Sequence, residues 1–204
     1  MVAGRSEVTA SGPVADDETT PERVLRLATD LFAQRGFDAT GVQELSEATG
    51  LGRGALYYHI KSKQELLLRI ATRLLERAID NAEEIVARDV SVPDRLTALT
   101  EYLITDLMAE RSAWMTSMRD WTSLDEAGRA KILAMRDHYE SIWQRLFDEG
   151  AELGVTRRVD PTLRKAIVGM FTSIHSWLAP HGALSAQEIS ATYLDFMLHG
   201  VMRE

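Results

Sequence analysis

Residues 40–63, TGVQELSEATGLGRGALYYHIKSK, decide the fold. They read as two short helices joined by a glycine-flanked turn, followed at once by the start of a third. Thr40 and Gln43 have the spacing of a capping box, which predicts a helix from Gly41. Val42, Leu45 and Ala48 give that helix one apolar face, Gly50 supplies the left-handed residue that stops it, and Leu51 plugs the corner. The next helix carries Arg53–His59, with Ala55, Leu56 and Ile60 as inward anchors. Ser62 and Glu65 then form a second capping box that opens a long helix. Helix, tight turn and helix read DNA when the second helix is short, basic at its start and lined with hydrogen-bonding side chains.

On the N-terminal side, Thr20 reads as a cap and Pro21 as the first helical residue. Val24, Leu27, Ala28, Leu31 and Phe32 follow the helical period, Gly36 ends the helix, and Phe37 packs under the motif. The contiguous signature LATDLFAQRGFDATGVQELSEATGLGRGALYYHIKSKQELL resembles the DNA-binding domain of the TetR family of bacterial repressors. The resemblance spans residues 21–70. It implies an all-α homodimer with an N-terminal helix-turn-helix domain and a larger C-terminal domain that binds an inducer and dimerises. Gly52 departs from the pattern, because similar proteins carry Ser or Thr there; glycine caps nearly as well but offers no hydroxyl to a phosphate.

Within the motif, Arg53 opens the recognition helix, where a guanidinium reaches base edges and grips guanine. Gly54 allows close backbone approach. Tyr57, Tyr58, Lys63 and Thr40 are candidates for phosphate contacts, with packing under the helix as the alternative for Tyr57. The partner implied is a double-stranded, palindromic operator, since symmetric dimers read symmetric half-sites.

The composition sets bounds around this reading. The 204 residues include no cysteine, which excludes thiol catalysis, disulfides and cysteine-ligated metals. The formal charge of −8 looks wrong for a DNA binder until it is divided. Residues 21–70 hold seven basic and six acidic side chains, the first twenty are net −3, and residues 71–204 are net −6. Phosphate repels that acidic C-terminal part, so the docking surface belongs to the N-terminal end. No apolar run reaches membrane-span length and no signal-peptide pattern opens the chain, so a cytoplasmic protein without a membrane partner is expected. The five histidines lack metal-site spacing, and no nucleophile-elbow, Walker or dinucleotide motif occurs. No enzyme activity, metal or cofactor is expected. A helical interaction protein is the other class, in which Arg53–His59 is merely polar helix surface; retention of DNA by the purified protein separates the two.

The remaining chain reads as further helices, nine in all. Ser62 opens one that runs to about residue 87 and enters the second domain, a mechanical link between the two. Ser91, Ser112, Ser123, Asp160 and Ser185 are expected caps for the rest, with a break at Pro180 and Gly182. The expected division is a disordered tail (1–19), a DNA-binding domain (20–65) and a ligand-binding and dimerisation domain (66–204).

Trp114, Met118, Trp121, Met135, Tyr139 and Trp143 form a pool of large, adaptable side chains suited to an apolar cavity between helices, or to ordinary core. The last two helices each carry a broad apolar stripe. Pairing with their symmetry mates would place Ile167, Ile174, Tyr193 and Phe196 at a two-fold interface; packing within the subunit is the alternative. The segments MRDHYESIWQRLFDEGAELGVTRRVDPTLRKAIVGMF and HSWLAPHGALSAQEISATYLDFMLHGV are similar to TetR-type repressors of lipid and steroid catabolism that respond to acyl-CoA thioesters. That resemblance makes Trp177 a candidate for the adenine and Arg136, Arg157, Arg158 and Arg164 candidates for the phosphates. The alternatives are a neutral aromatic or drug-like inducer, and arginines that are only surface charges.

Overall fold

The computed structural model describes residues 18–177 and 184–201, and contains no strand among them. The helices are α1 (Thr20–Arg35), α2 (Val42–Thr49), α3 (Arg53–His59), α4 (Lys63–Val86), α5 (Val92–Ala109), α6 (Arg111–Asp120), α7 (Glu126–Glu152), α8 (Pro161–Thr172), α9 (Ile174–Trp177) and α10 (Ala186–Val201), with a 3₁₀ turn at Trp121–Ser123. Pro161–Trp177 was expected as one helix. It breaks at Ser173, so α9 is a single turn continuing α8, and counting the two together gives the expected nine. The break at Pro180 and Gly182 lies outside the described residues, as does the expected tail before Glu18.

Most helix starts follow capping chemistry. Ser62 accepts the Glu65 N–H at 3.0 Å, Ser91 accepts the Asp94 N–H, Asp160 accepts from Thr162 and Leu163, and Ser185 with Glu188 forms a reciprocal box. Four starts differ from expectation. Thr19 rather than Thr20 caps α1, with Glu22 reaching back to its N–H at 3.0 Å, and Glu18 pairs with Arg26. Gly41 rather than Thr40 caps α2, Glu44 taking its N–H at 2.8 Å. Ser112 lies inside α6, which starts after Glu110, and Asp125 rather than Ser123 caps α7. At α1, α2 and α7 a neighbouring side chain takes a free N–H instead, and spacing alone does not say which, whereas the start of α6 has no side-chain cap.

Two apolar cores result. Val24, Ala28, Phe32, Phe37, Leu45, Leu56 and Ile60 close the first, together with Leu66, Leu67, Ile70, Ala71 and Leu75 of α4. Leu124 and Ile132, from the far side of the chain, belong to it as well. The second is built from Leu74, Ala78, Ala82 and Ile85 of α4 with the inward residues of α5, α7, α8 and α10. Helix α4, 24 residues and about 36 Å long at 1.5 Å per residue, therefore serves one core with its first turns and the other with its last. The cores meet around Leu74 and Leu75 of α4.

In the second core the rings of Trp143, Phe171 and Tyr193 follow one another at centroid distances of 5.8 Å, tying α7 to α8 and α10. Ile167 and Ile174, expected at a dimer interface, are buried in this core, because α8 lies against α5 and α7, α9 lies against α5 and α6, and α10 covers α5. Tyr193 is half-buried against Phe171. Phe196 alone of the four is open, 69 % exposed.

Candidate functional site

The recognition helix α3 sits on two anchors, Leu56 and Ile60, both fully buried under α1 and α4. Each such aliphatic side chain contributes about 1.5–3 kcal/mol by its burial. Ala55, expected as a third anchor, is exposed, and so is Ala48 of α2, where Thr49 turns inward instead. The turn between α2 and α3 depends on Gly50, whose φ of 66° is left-handed. Ser46 closes the same turn by donating its hydroxyl to the Leu51 carbonyl. With the anchors inward, Arg53, Gly54, Tyr57 and Tyr58 all lie on the open side. Tyr57 is 42 % and Tyr58 87 % exposed, and Tyr58 meets His59 edge-on at 5.2 Å. A Cβ built on Gly54 would touch nothing within 4 Å, so internal packing does not call for glycine there.

Two other predicted DNA contacts are placed differently. Thr40 is fully buried, donating its hydroxyl to the Gly36 carbonyl at 2.8 Å and its N–H to the Phe37 carbonyl at 3.3 Å. It shapes the approach to α2 and does not face outward. Lys63 directs its ammonium to the carbonyls of Phe37 (2.7 Å) and Thr40 (2.9 Å), over the Phe37 ring at 4.2 Å. Two of its three N–H donors brace the first core, which leaves one for a phosphate.

The expected effector residues fall into three groups. Trp114, Tyr139 and Trp143 are buried in the second core, with Met118 half-buried beside them. Trp121 and Met135 pack instead against the first core, since the 3₁₀ turn and the start of α7 lean on α4. Trp177 is 48 % exposed and stands apart. The seven are therefore not one lining. A solvent-open groove of about 680 Å³ does exist, between α1, the start of α4 and the start of α7, but its walls include Gln64, Leu68, Arg73, Leu124 and Lys131 and none of the seven.

The second core carries buried polar atoms, one of them on Thr100, which sequence periodicity did not single out. The Thr100 hydroxyl is buried without a hydrogen-bond partner, and the buried Trp143 indole N–H faces the Tyr139 phenol oxygen, neither having any other partner. Burial pushes the Tyr139 phenol above its ordinary pKa, so it stays protonated and remains a donor. Trp114, by contrast, is satisfied: its indole N–H donates to Asp106 at 2.8 Å, and Asp106 pairs with Arg77 of α4 at 2.9 Å.

A second link between the two cores was also missed. Arg119 at the end of α6 donates to the carbonyls of Phe32 and, at 3.2 Å, Ala33, the last turn of α1. Asp120 accepts the Phe37 N–H at 3.2 Å and holds Arg119 through two contacts of 2.9 Å. Thr116 adds a 3.4 Å bond to the Thr29 carbonyl, and Gln64 of α4 donates to the Ser123 carbonyl at 2.7 Å. Helix α6 thus grips the DNA-reading motif directly, besides packing along α4. Nothing in the run Arg119–Asp120 marks it as different from a solvated helix end.

Comparison with known proteins accords with this geometry. Residues 24–70 match the bacterial regulatory proteins of the tetR family, and residues 89–201 match the tetracyclin repressor-like C-terminal domain. The HTH-type transcriptional repressor KstR2 of Mycolicibacterium smegmatis is 27 % identical over 192 residues, covering 88 % of this chain and 89 % of that one. The TetR family transcriptional regulator PfmR from Thermus thermophilus superposes with a TM-score of 0.82 at 31 % identity, covering 89 % of this chain and 100 % of PfmR. AibR, in its crystal structure with isovaleryl coenzyme A and operator DNA, gives a TM-score of 0.77 at 25 % identity over 87 % of this chain and 97 % of AibR. The chain belongs to the tetR family of bacterial regulatory proteins, as a DNA-binding transcriptional regulator and not an enzyme.

Proposed function

We propose that the protein acts in the cytoplasm as a homodimer that holds a palindromic operator and is released from it by an apolar, oxygen-bearing small molecule, with acyl-CoA thioesters as the leading class. The observation that carries the effector reading is the pair of buried hydroxyls, Thr100 and Tyr139, whose O–H groups have no acceptor in and around an aromatic core, the Tyr139 oxygen facing only the Trp143 N–H. A buried donor left without an acceptor costs about 1–3 kcal/mol, and a ligand carbonyl or thioester oxygen reaching these groups recovers that energy. The AibR complex with isovaleryl coenzyme A supports a thioester as the source of such an oxygen. Arg53, Gly54, Tyr57 and Tyr58 face the DNA, with Lys63 touching phosphate through its remaining donor. The dimer forms through the exposed side of α10 around Phe196, with Trp177 and Leu184 as further exposed apolar groups near the same end of the chain.

Release requires that the effector favour a conformer whose recognition helices are wrongly spaced, since a ligand without such a preference shifts nothing. The structure offers two routes for that preference, the continuous helix α4 and the grip of α6 on α1. A tenfold loss of operator affinity needs only about 1.4 kcal/mol of differential binding. The test is titration of acyl-CoA thioesters, the matching free acids and neutral aromatics against a protein–operator complex. Release by thioesters alone supports the reading. Release by neutral aromatics with none by thioesters, across chain lengths and ring systems, sinks the thioester assignment and leaves the repressor standing.

A further inference from the structure

The corner between α6 and α7 holds a guanidinium without a counter-ion. Arg136 of α7 donates from Nη2 to the Ser117 carbonyl at 2.9 Å, lies 4.0 Å from the Met118 sulfur, and stacks with its Cζ 4.8 Å from the Trp121 ring centroid. Its Nε–H is buried and has no partner. The Ser117 hydroxyl beside it is also buried and unpartnered. Among the described residues Arg136 forms no ion pair, and Glu140, one turn along α7, is held by Arg164 at 2.9 Å. Three other arginines packed between helices of this half of the chain do face carboxylates: Arg77 with Asp106, Arg95 with Glu149, and Arg164 with Glu140. Burial lowers the Arg136 pKa, with Glu140 opposing only in part.

A charge removed from water without an opposite charge is unfavourable, and an oxyanion supplied from outside reverses the balance. The planar guanidinium fork takes carboxylate or phosphate oxygens in charge-assisted hydrogen bonds. We propose that Arg136 and Ser117 bind an oxyanion, a carboxylate or a phosphate, carried by the effector, with Trp121 covering the guanidinium face. Arg136 Nε–H and the Ser117 O–H are the two donors. The site stands two residues before Arg119 and Asp120, so an anion that draws Arg136 from the Ser117 carbonyl acts on the very turn of α6 that holds α1. The inference rests on the effector-responsive reading above and adds to it the chemistry of one end of the ligand.

The test uses the purified full chain without DNA and three probes: octanoate, its neutral counterpart octanamide, and inorganic phosphate, each followed by calorimetric titration. At least one anion should bind, octanamide should bind at least tenfold more weakly than octanoate if the carboxylate is the source, and Arg136→Gln should weaken the anion at least tenfold. Arg136→Lys should fall between, keeping the charge and losing the fork, and Ser117→Ala should weaken the anion several-fold. Octanoate binding that depends on Arg136 identifies a carboxylate; phosphate binding with the same dependence identifies a phosphate; both support the site. Anion affinities unchanged in Arg136→Gln, or no anion binding to the unaltered protein, overturn it. Should Arg136→Gln fail to fold, Ser117→Ala decides, since it deletes a single hydroxyl: undiminished anion affinity there also overturns the site. A protein that fails these tests yet still releases operator to thioesters loses the anion site and keeps its proposed function.

Discussion

Asp120→Ala tests the link between the effector half and the DNA-reading motif. Asp120 is 8 % exposed, and its carboxylate is the acceptor for the Phe37 N–H at 3.2 Å. Phe37 is itself buried, so deleting the carboxylate strands a buried N–H, at about 1–3 kcal/mol. Arg119 loses its two contacts of 2.9 Å but keeps the Phe32 and Ala33 carbonyls, and its side chain is 41 % exposed, so solvent screening limits that part to roughly 1 kcal/mol or less. The sum is about 1–4 kcal/mol. For a chain of this size each kcal/mol moves the melting temperature by ~2–4 °C, so a fall of about 2–16 °C is expected by differential scanning calorimetry. Asp120→Asn keeps an acceptor for the Phe37 N–H and removes only the charge, so it should lose less than half as much. Both variants should still bind effector while transmitting less of its effect to the operator. A melting temperature for Asp120→Ala within about 1 °C of the unaltered protein, or equal losses in the two variants, would refute the argument that the stranded N–H dominates.

Arg53→Ala should cost ~1–3 kcal/mol of operator binding and relax the preference at one base pair, read by fluorescence anisotropy on a set of single-base operator variants; unchanged affinity and preference would remove its base-reading role. Lys63→Ala should lower thermal stability by about 1–2 kcal/mol through the loss of its bonds to Phe37 and Thr40, and should also flatten the salt dependence of DNA binding; an unaltered melting curve contradicts the bracing role. Phe196→Asp should give a folded monomer by light scattering at micromolar concentration, whereas Ile174→Asp, in the core, should unfold the C-terminal half; a dimeric Phe196→Asp places the interface elsewhere. Gly150→Ala would set a Cβ 2.8 Å from Thr156 Oγ1 and 3.1 Å from Val92 Cγ1, and overpacking there should destabilise by ~1–3 kcal/mol in chemical denaturation.

The motif at 40–63 was legible because its signals are local. Gly50 enforces a left-handed turn, Ser62 and Glu65 cap α4, and Leu56 and Ile60 recur on one face whatever they pack against. Capping residues were less legible, since Thr40 and Gly41, or Ser123 and Asp125, compete within two positions and only the neighbouring side chains choose. Burial was harder again. Ile167, Ile174 and Phe196 all sit on apolar stripes, and a stripe does not say whether its cover is the same subunit or another. Here α5 covers the first two, with α7 over Ile167 and α6 beside Ile174, and Phe196 is left open.

Sequence by itself thus determined the helical class, the short helix opened by Arg53 with Gly54 and Tyr58 outward, and the reach of α4 through both halves, while the outward side of Tyr57 waited for the structure. Each follows from periodicity and turn chemistry within a few residues. Tertiary structure alone decided that Leu124 and Ile132 help close the first core, that Arg119 and Asp120 hold the end of α1, and that half-buried Arg136 meets no carboxylate among the described residues. Those features join residues up to about a hundred positions apart, and a side chain's role in them depends on which donors, acceptors and charges the fold brings to it.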